Sequence, residues 1–132
     1  MKDYSDKQKE KIKNLVMTWA EEFVQDESYK KLADWQKDEA MFIIDMFAEY
    51  MYGYFLQEPS EWTASALKEC CLDIFPRKIS AELNFYKSVE PVLTAFLQYL
   101  QYKGYIKNAP SLISCLKKIS GRMVKLAENP EN

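Results

Sequence analysis

The sequence predicts an all-α protein, a compact bundle of five to seven helices that ends in an antiparallel helical hairpin. Apolar residues recur at intervals of three and four along most of the chain, which is the period of amphipathic helices. The 132 residues include only 3 glycines and 5 prolines, too few for the many turns of an all-β fold. The length and a hydrophobic content of 48% indicate one helical domain over residues 1–132, with frayed ends at 1–4 and 128–132.

Two long helices are predicted in the first half of the chain. The first begins after Ser5, which forms a capping box with Gln8, and runs to about Gln25. The second covers Trp35 to Leu56 and is apolar around most of its circumference, so we expect it to lie at the centre of the bundle. The side chains expected to be deeply buried are those of Trp19 and Phe47.

A further predicted helix begins at Ser60 or Thr63 and carries Cys70 and Cys71 side by side. Pro76 disfavours helical geometry at the residue before it, so we expect the helix to end there. The stretch around the two cysteines then has an ordinary structural explanation as a helix terminus.

The last two predicted helices form the C-terminal hairpin. Ser88, followed by an acidic residue and Pro91, is the start signal of the first of them, and Gly104 is its expected end. Asn108 is the expected cap of the final helix. The connection between Gly104 and Asn108 is too short for more than a turn, so the two helices are expected to run antiparallel.

The absence of histidine limits the enzyme classes that the chain can belong to. Without histidine there is no imidazole base, no Ser-His-Asp triad and no histidine metal ligand. The three glycines stand far apart and form neither a P-loop nor a dinucleotide-binding loop. We therefore expect a protein without catalytic activity, metal or cofactor.

Asp45 and Glu49 are the best candidate pair for acid–base chemistry. They are four residues apart and lie on the same side of a nearly apolar helix, where they could bind a hard cation or act as a lone acid and base. The structural alternative is that the pair lies on the solvated edge of a central helix or forms a salt bridge to Arg77, Lys78 or the basic C-terminal hairpin. This alternative is favoured, because structural charge networks imitate functional sites.

The three cysteines, Cys70, Cys71 and Cys115, are expected to be reduced, unbridged and free of metal. Their number is odd and the charged N-terminus shows no secretory leader, so a cytoplasmic location is expected. The adjacent pair could sense oxidants or soft metals, but free cysteine is among the residues most often buried, which favours core packing. The longest apolar stretch is too short and too charged to span a bilayer, so no membrane association is expected.

Charge is divided unevenly along the chain. Residues 1–66 hold 8 basic and 14 acidic residues, a net charge of −6, whereas residues 67–132 hold 10 basic and 6 acidic residues, a net charge of +4. On the last helix Lys118, Arg122 and Lys125 share one face by their spacing of four and three, with Lys117 beside them. This face is a candidate binding surface for a polyanion or an acidic partner. The alternative is that the face complements the acidic first half of the chain or only solvates the hairpin, and it is favoured because charge runs are usually solvated surface.

Several short motifs in the second half of the chain support a family resemblance. They are Trp62, the helix end Ile74-Phe75-Pro76-Arg77-Lys78, the run Pro91-Val92-Leu93-Thr94-Ala95-Phe96 and the terminal helix. Through them about half of the chain, Trp62 to Leu126, resembles bacterial all-helical domains, some of which occur beside SEC-C metal-binding motifs or in plasmid-type accessory proteins. Those domains have no assigned chemistry, so the resemblance implies an all-helical fold and a bacterial origin. The chain lacks the SEC-C cysteine cluster, so no metal site is implied.

A binding protein is the predicted function class. The sequence favours a non-enzymatic bacterial protein that binds another macromolecule, in the first place a protein partner, because no catalytic constellation remains after these exclusions. The alternative is a nucleic-acid-binding module that uses the basic C-terminal hairpin. An enzyme or cation binder built on Asp45 and Glu49 is the least favoured class.

Overall fold

The structure, a computed structural model, describes residues 3–128 and contains no strand within that range. Its α-helices are α1 (Asp6–Phe23), α2 (Glu27–Lys30), α3 (Asp34–Phe55), α4 (Ala64–Glu69), α5 (Phe75–Lys78), α6 (Leu83–Tyr102) and α7 (Ala109–Glu128). A 3-10 turn at Pro59–Glu61 precedes α4, and a π-helical turn at Cys70–Ile74 joins α4 to α5 without a break. With that unbroken stretch counted as one helix, six helices pack together in the described range, and the predicted all-α class is confirmed.

Two predicted helix boundaries are confirmed by their hydrogen bonds. Ser5 Oγ accepts a hydrogen bond of 2.9 Å from the backbone N–H of Gln8 at the start of α1. Gly104 follows α6 with a φ of 78°, a left-handed conformation that glycine adopts at little cost. The N–H of Tyr105 then donates to the carbonyl of Leu100 at 2.9 Å and closes the helix.

The sequence predicts frayed ends at residues 1–4 and 128–132, of which residues 1–2 and 129–132 lie outside the described range. Within that range, the ring of Tyr4 packs against Tyr52 at a centroid distance of 5.4 Å. Glu128 is the last residue of α7.

The helix at the centre of the bundle is α6. Twelve of its 20 residues are buried, and it packs against α1, α2, α3 and α7. The prediction that Trp35 to Leu56 is central is wrong. The helix α3 packs against α1, α4, α6 and the π turn, but it leaves Phe42 and Tyr54 exposed.

The two side chains expected to be deepest in the core differ in their burial. Phe47 is 1% exposed, as predicted. Trp19 is only half-buried, because it lies at the edge of the buried face of α1 and stacks on Tyr105 at a centroid distance of 4.9 Å. The prediction for Trp19 is therefore wrong.

The predicted helix end at Pro76 is wrong, because the helical stretch continues through the proline to Lys78. Pro76 lies in the first turn after the π turn, where a residue without an N–H is tolerated. In the π turn the N–H of Phe75 donates to the carbonyl of Cys70, five residues back. Cys70, Cys71 and Phe75 are fully buried, so the burial of this stretch outweighs the local preference of the proline.

The predicted helix start at Ser88 is also wrong, since α6 begins at Leu83. Ser88 is fully buried, and its hydroxyl donates to the carbonyl of Asn84 at 2.7 Å. Burial of Phe85 and the residues beside it extends the helix toward its N-terminus. Pro91 consequently lies in the helix interior, where it removes one backbone hydrogen bond.

The helices α6 and α7 form the predicted antiparallel hairpin. The end of α6 meets the start of α7, where Gln101 Oε1 accepts a hydrogen bond of 3.2 Å from the N–H of Ala109. The start of α6 meets the end of α7, where Tyr86 and Glu90 line a groove together with Val124. This hairpin places the predicted basic residues on the outer side of α7.

Asn108 directly precedes α7, as predicted, but its side chain does not cap the helix. Its amide group donates to the carbonyl of Trp62 at 2.7 Å, and its Oδ1 accepts no hydrogen bond from residues 3–128. The carbonyl of Asn108 accepts a hydrogen bond of 3.1 Å from Ser111 Oγ. The side chain of Asn108 therefore ties the start of α7 to the segment before α4.

Candidate functional site

The basic side chains of α7 lie on the surface. Lys117, Lys118, Arg122 and Lys125 are all exposed. Among the residues that the structure describes, Lys117, Lys118 and Arg122 form no ion pair. Within residues 3–128 these three cations therefore do not pair with the acidic half of the chain, an arrangement that fits a solvated face as well as a binding surface.

A fifth cation, Lys68 on α4, joins the same surface. Where α4 packs along α7, Cys115 Sγ lies 3.5 Å from the carbonyl oxygen of Ala64. Burial raises the pKa of the Cys115 thiol, and the positive charges of Lys68 and Lys118 both act against that rise, which places both side chains near it. No pattern in the sequence indicates Lys68, because only the packing of α4 on α7 brings it there. The basic face is Lys68, Lys117, Lys118, Arg122 and Lys125.

The carboxylates of Asp45 and Glu49 pair with Lys13 on α1. Lys13 Nζ lies 3.4 Å from Asp45 Oδ1 and 2.5 Å from Glu49 Oε1. The predicted partners are wrong, and Arg77 instead pairs with Asp73 at 3.0 Å. Burial acts to lower the pKa of Lys13, but its hydrogen bond to Glu49 and the two negative charges outweigh burial, so the pKa is raised. The arrangement is an ion pair that fixes α1 against α3.

The three thiols are unbridged and differ in their burial. Cys70 and Cys71 are fully buried in the π turn, and burial raises the pKa of both. Cys115 is half-buried, and burial raises its pKa as well. A raised pKa keeps the reactive thiolate scarce, so the geometry of the adjacent pair fits core packing and not the sensing of oxidants.

A thiol reagent such as DTNB is expected to label Cys115 of the folded protein before the other two cysteines. Cys70 and Cys71 should react only when the bundle opens, because no part of either side chain is exposed. In denaturant all three thiols should react. Cys115→Ser should remove the early phase and leave the slow one, whereas equal rates for all three thiols in the folded protein would contradict the burial of Cys70 and Cys71.

Glu22 joins α1 to α6 and to the turn that follows α6. Its Oε1 accepts hydrogen bonds from Tyr99 Oη at 3.2 Å and from Tyr105 Oη at 2.8 Å. Burial, and then the hydrogen bond to Glu22, raises the pKa of Tyr99 to about 12. The contact needs the phenol proton, so it stabilises the bundle only while Tyr99 is neutral.

Stability is expected to fall in alkaline solution as the pH rises from about 10 to about 12. The pKa of Tyr99 lies above its ordinary value of 10.0, so its contribution is fully present below pH 10 and is lost as the pH passes through the folded-state pKa. Tyr99→Phe should therefore make the decline of the unfolding free energy shallower, as measured by urea unfolding at several pH values. Tyr102→Phe, at a side chain 84% exposed, is the control. Parallel declines for wild type and Tyr99→Phe would contradict this assignment.

The exposed side of α3 carries a row of large apolar side chains that the sequence assigns to the core. Phe42, Met46, Tyr50 and Tyr54 follow one another at intervals of four, and Trp35 lies seven residues before Phe42. Trp35, Phe42 and Tyr54 are 40%, 46% and 45% exposed, and Met46 and Tyr50 are half-buried. These five residues form the aromatic row.

Core rings hold the aromatic row in place from behind. Phe42 packs edge to face against Phe85 at a centroid distance of 5.7 Å. Tyr50 contacts Phe75 at 6.0 Å and Tyr54 at 5.8 Å. Because core rings hold Phe42 and Tyr50, a partner that covers these two side chains costs them little conformational entropy.

No protein-family model, no curated protein and no solved structure matches the chain. The resemblance to bacterial all-helical domains therefore stays a prediction. Within residues 3–128, no group of three or more cysteine, aspartate or glutamate side chains is arranged to hold a metal ion. No helix in that range combines the length and the apolar character that crossing a bilayer requires.

Proposed function

We propose that the protein is a non-enzymatic binding module that docks another protein on the aromatic row of α3. The observation that carries this proposal is the exposure of three aromatic side chains, Trp35, Phe42 and Tyr54, on one helix. Tryptophan, tyrosine, phenylalanine and methionine are enriched in protein interfaces, where a few aromatic side chains supply most of the binding energy. Large apolar side chains that are exposed as a group mark an interaction site, whereas single ones are normal on a protein surface.

Three further observations support this function and its setting. The ion pairing of Asp45 and Glu49 with Lys13 supports a role without catalysis, because it engages the candidate acid–base pair. The free thiols support a reducing compartment, which we take to be the cytoplasm. The resemblance of the second half of the chain supports a bacterial origin.

Site-specific photo-crosslinking in the cells that make the protein tests this function. A benzophenone amino acid at Tyr54 should give a discrete protein adduct, which nuclease treatment leaves intact. The same probe at Tyr102, an exposed residue outside the aromatic row, is the matched control and should give none. Phe42→Ala should lower the yield of the adduct formed from the probe at Tyr54. No adduct from Tyr54, or equal adducts from both positions, would overturn the proposal.

A nucleic-acid-binding module is the second candidate function. It is favoured by the position of Lys68, which extends the basic face from α7 to α4. It is also favoured by the lack of ion pairs at Lys117, Lys118 and Arg122 within the described residues. The cations from Lys118 to Lys125 extend over about 10 Å of helix, enough to contact successive phosphates of one strand.

Fluorescence anisotropy with short single- and double-stranded DNA and RNA tests the second function. Binding by the basic face should be tight at low salt, should weaken steeply toward physiological salt and should show little sequence preference. The test variant is Lys118→Glu/Arg122→Glu/Lys125→Glu, which should abolish binding. The matched control, with the same change of charge at exposed lysines elsewhere, is Lys7→Glu/Lys11→Glu/Lys31→Glu. No binding at low salt, or equal loss in both variants, would overturn this function.

A further inference from the structure

Negative charge accompanies the aromatic row along α3. The helix has five carboxylates and one lysine. Asp38 and Glu39 form no ion pair within the described residues. Lys13 pairs with both Asp45 and Glu49, so the three side chains together carry a formal net charge of −1. Within the described residues of α3 the unpaired negative charge therefore lies beside the N-terminal part of the aromatic row, at Asp38 and Glu39, whereas the guanidinium of Arg77 interacts with Tyr54 at the other end.

The spacing of the aromatic row fits a helix as its partner. Residues at intervals of four form a continuous ridge on an α-helix, and such ridges pack into the grooves of a second helix in the commonest class of helix crossing. The ridge formed by Phe42, Met46, Tyr50 and Tyr54 is of this kind and has no helix of the bundle over its exposed half. A strand or an extended peptide would find no open sheet edge to pair with in the described residues.

We propose that the segment docked on the aromatic row is an amphipathic α-helix whose apolar side is flanked by lysine and arginine. This inference rests on the proposed function of the aromatic row. The apolar side of the partner helix lies along the ridge of α3, and its cations lie over Asp38 and Glu39. Complementary charge at the rim of an apolar interface selects the partner and speeds association.

A second copy of the chain fits this surface poorly. Pairing two copies of α3 in parallel about a two-fold axis would set the unpaired Asp38 and Glu39 of one helix beside the same residues of the other, within the described range. Like charges across an interface disfavour the complex. The same charges disfavour an anionic membrane or a nucleic acid on this side of the molecule. The partner is therefore a different chain that brings positive charge.

Three labelled peptides of about 18 residues, long enough to form a helix, test the inference. The first has leucines at helical spacing and lysines elsewhere, the second has glutamate in place of each lysine, and the third is a scrambled form of the first. Anisotropy at low and at physiological salt measures their affinities for the full chain. The leucine–lysine peptide should bind at least about ten-fold more tightly than either of the others.

Variants of the chain separate the apolar and the charged contributions to this binding. The double variant Phe42→Ala/Tyr54→Ala should bind the leucine–lysine peptide at least about ten-fold more weakly, because two rings of the aromatic row are removed. The double variant Asp38→Asn/Glu39→Gln should bind the peptide several-fold more weakly, and its affinity should depend less on the salt concentration. The matched control variants at exposed positions of α1 are Leu15→Ala and Glu10→Gln/Glu21→Gln, which should bind like wild type.

The possible outcomes distinguish a failure of this inference from a failure of the proposed function on which it rests. Binding that ignores the sign of the peptide charge, or that survives Asp38→Asn/Glu39→Gln unchanged, would overturn the inference. If the probe at Tyr54 still gives a protein adduct in cells, the proposed docking on the aromatic row remains supported, but the partner belongs to another class. A dimer detected by light scattering, and dissociated by Phe42→Ala, would identify a second copy as the occupant and would likewise overturn the inference.

Discussion

Phe47→Ala is expected to lower the free energy of unfolding by about 3–5 kcal/mol, the range for removing a buried phenylalanine ring. Phe47 is 1% exposed, and its ring meets that of Trp62 edge to face at a centroid distance of 4.9 Å. Truncation leaves a cavity where α3 meets the segment before α4, and a close-packed core relaxes into such a cavity only in part. Urea unfolding, followed by circular dichroism and tryptophan fluorescence, measures the change.

Phe42→Ala on the same helix is the matched control for Phe47→Ala. The same atoms are removed, but Phe42 is already exposed in part and loses mainly its contact with Phe85. We expect a loss of about 1 kcal/mol, the size of one aromatic pair. Equal losses in the two variants would contradict the orientation of α3 in the bundle.

Phe23→Ala is expected to lower the unfolding free energy by a similar amount, about 3–5 kcal/mol, and also to loosen α2. Phe23 is fully buried at the end of α1, with ring centroids of Tyr29, Phe96 and Tyr99 at 5.5, 5.3 and 5.8 Å. The helix α2 has four residues and no buried residue of its own, so it is held by its packing on α6 and by the contact between Phe23 and Tyr29. Amide hydrogen exchange over Glu27–Lys30 should become faster in the variant.

Leu15→Ala is the control on α1, at an exposed side chain. It should change the unfolding free energy by less than about 1 kcal/mol and leave the exchange of α2 as it is. If Phe23→Ala lowers overall stability while α2 exchanges at the wild-type rate, contacts other than Phe23 hold α2, and the role given to this ring is wrong.

Local sequence signals correctly predict a helix end when the end depends only on one residue and the backbone next to it. Ser5 and Gly104 are such cases, because a side-chain cap and a left-handed glycine need nothing from the rest of the fold. Pro76 and Pro91 give wrong boundaries because the local preference of proline competes with the burial of neighbours such as Phe85. Burial depends on residues distant in sequence, so a local pattern does not contain it.

The same distinction applies to the candidate surfaces: the sequence predicts the residues that local spacing places on a surface and misses those that tertiary packing brings there. The cations of α7 are predicted from spacing alone, because strongly hydrated side chains remain in water. Lys68 and Lys13 are missed, because only the packing of α4 on α7 and of α1 on α3 brings them to their places. Phe42 and Phe47 are the same residue type on one helix, and periodicity shows both as apolar without showing which has a helix opposite it.

The π turn between α4 and α5 is a place where the chain can change length. The N–H of Phe75 reaches back five residues to the carbonyl of Cys70, one residue more than in an α-helix. Deletion of the exposed Asp73 lets the same two groups pair across an ordinary α-turn, so the residues from Phe75 onward keep their orientation. A one-residue deletion inside α3 instead turns every following side chain by about 100° and exposes the core. A homologous chain one residue shorter at this turn would therefore build the same bundle, and insertions and deletions should accumulate there in evolution before they do in α3.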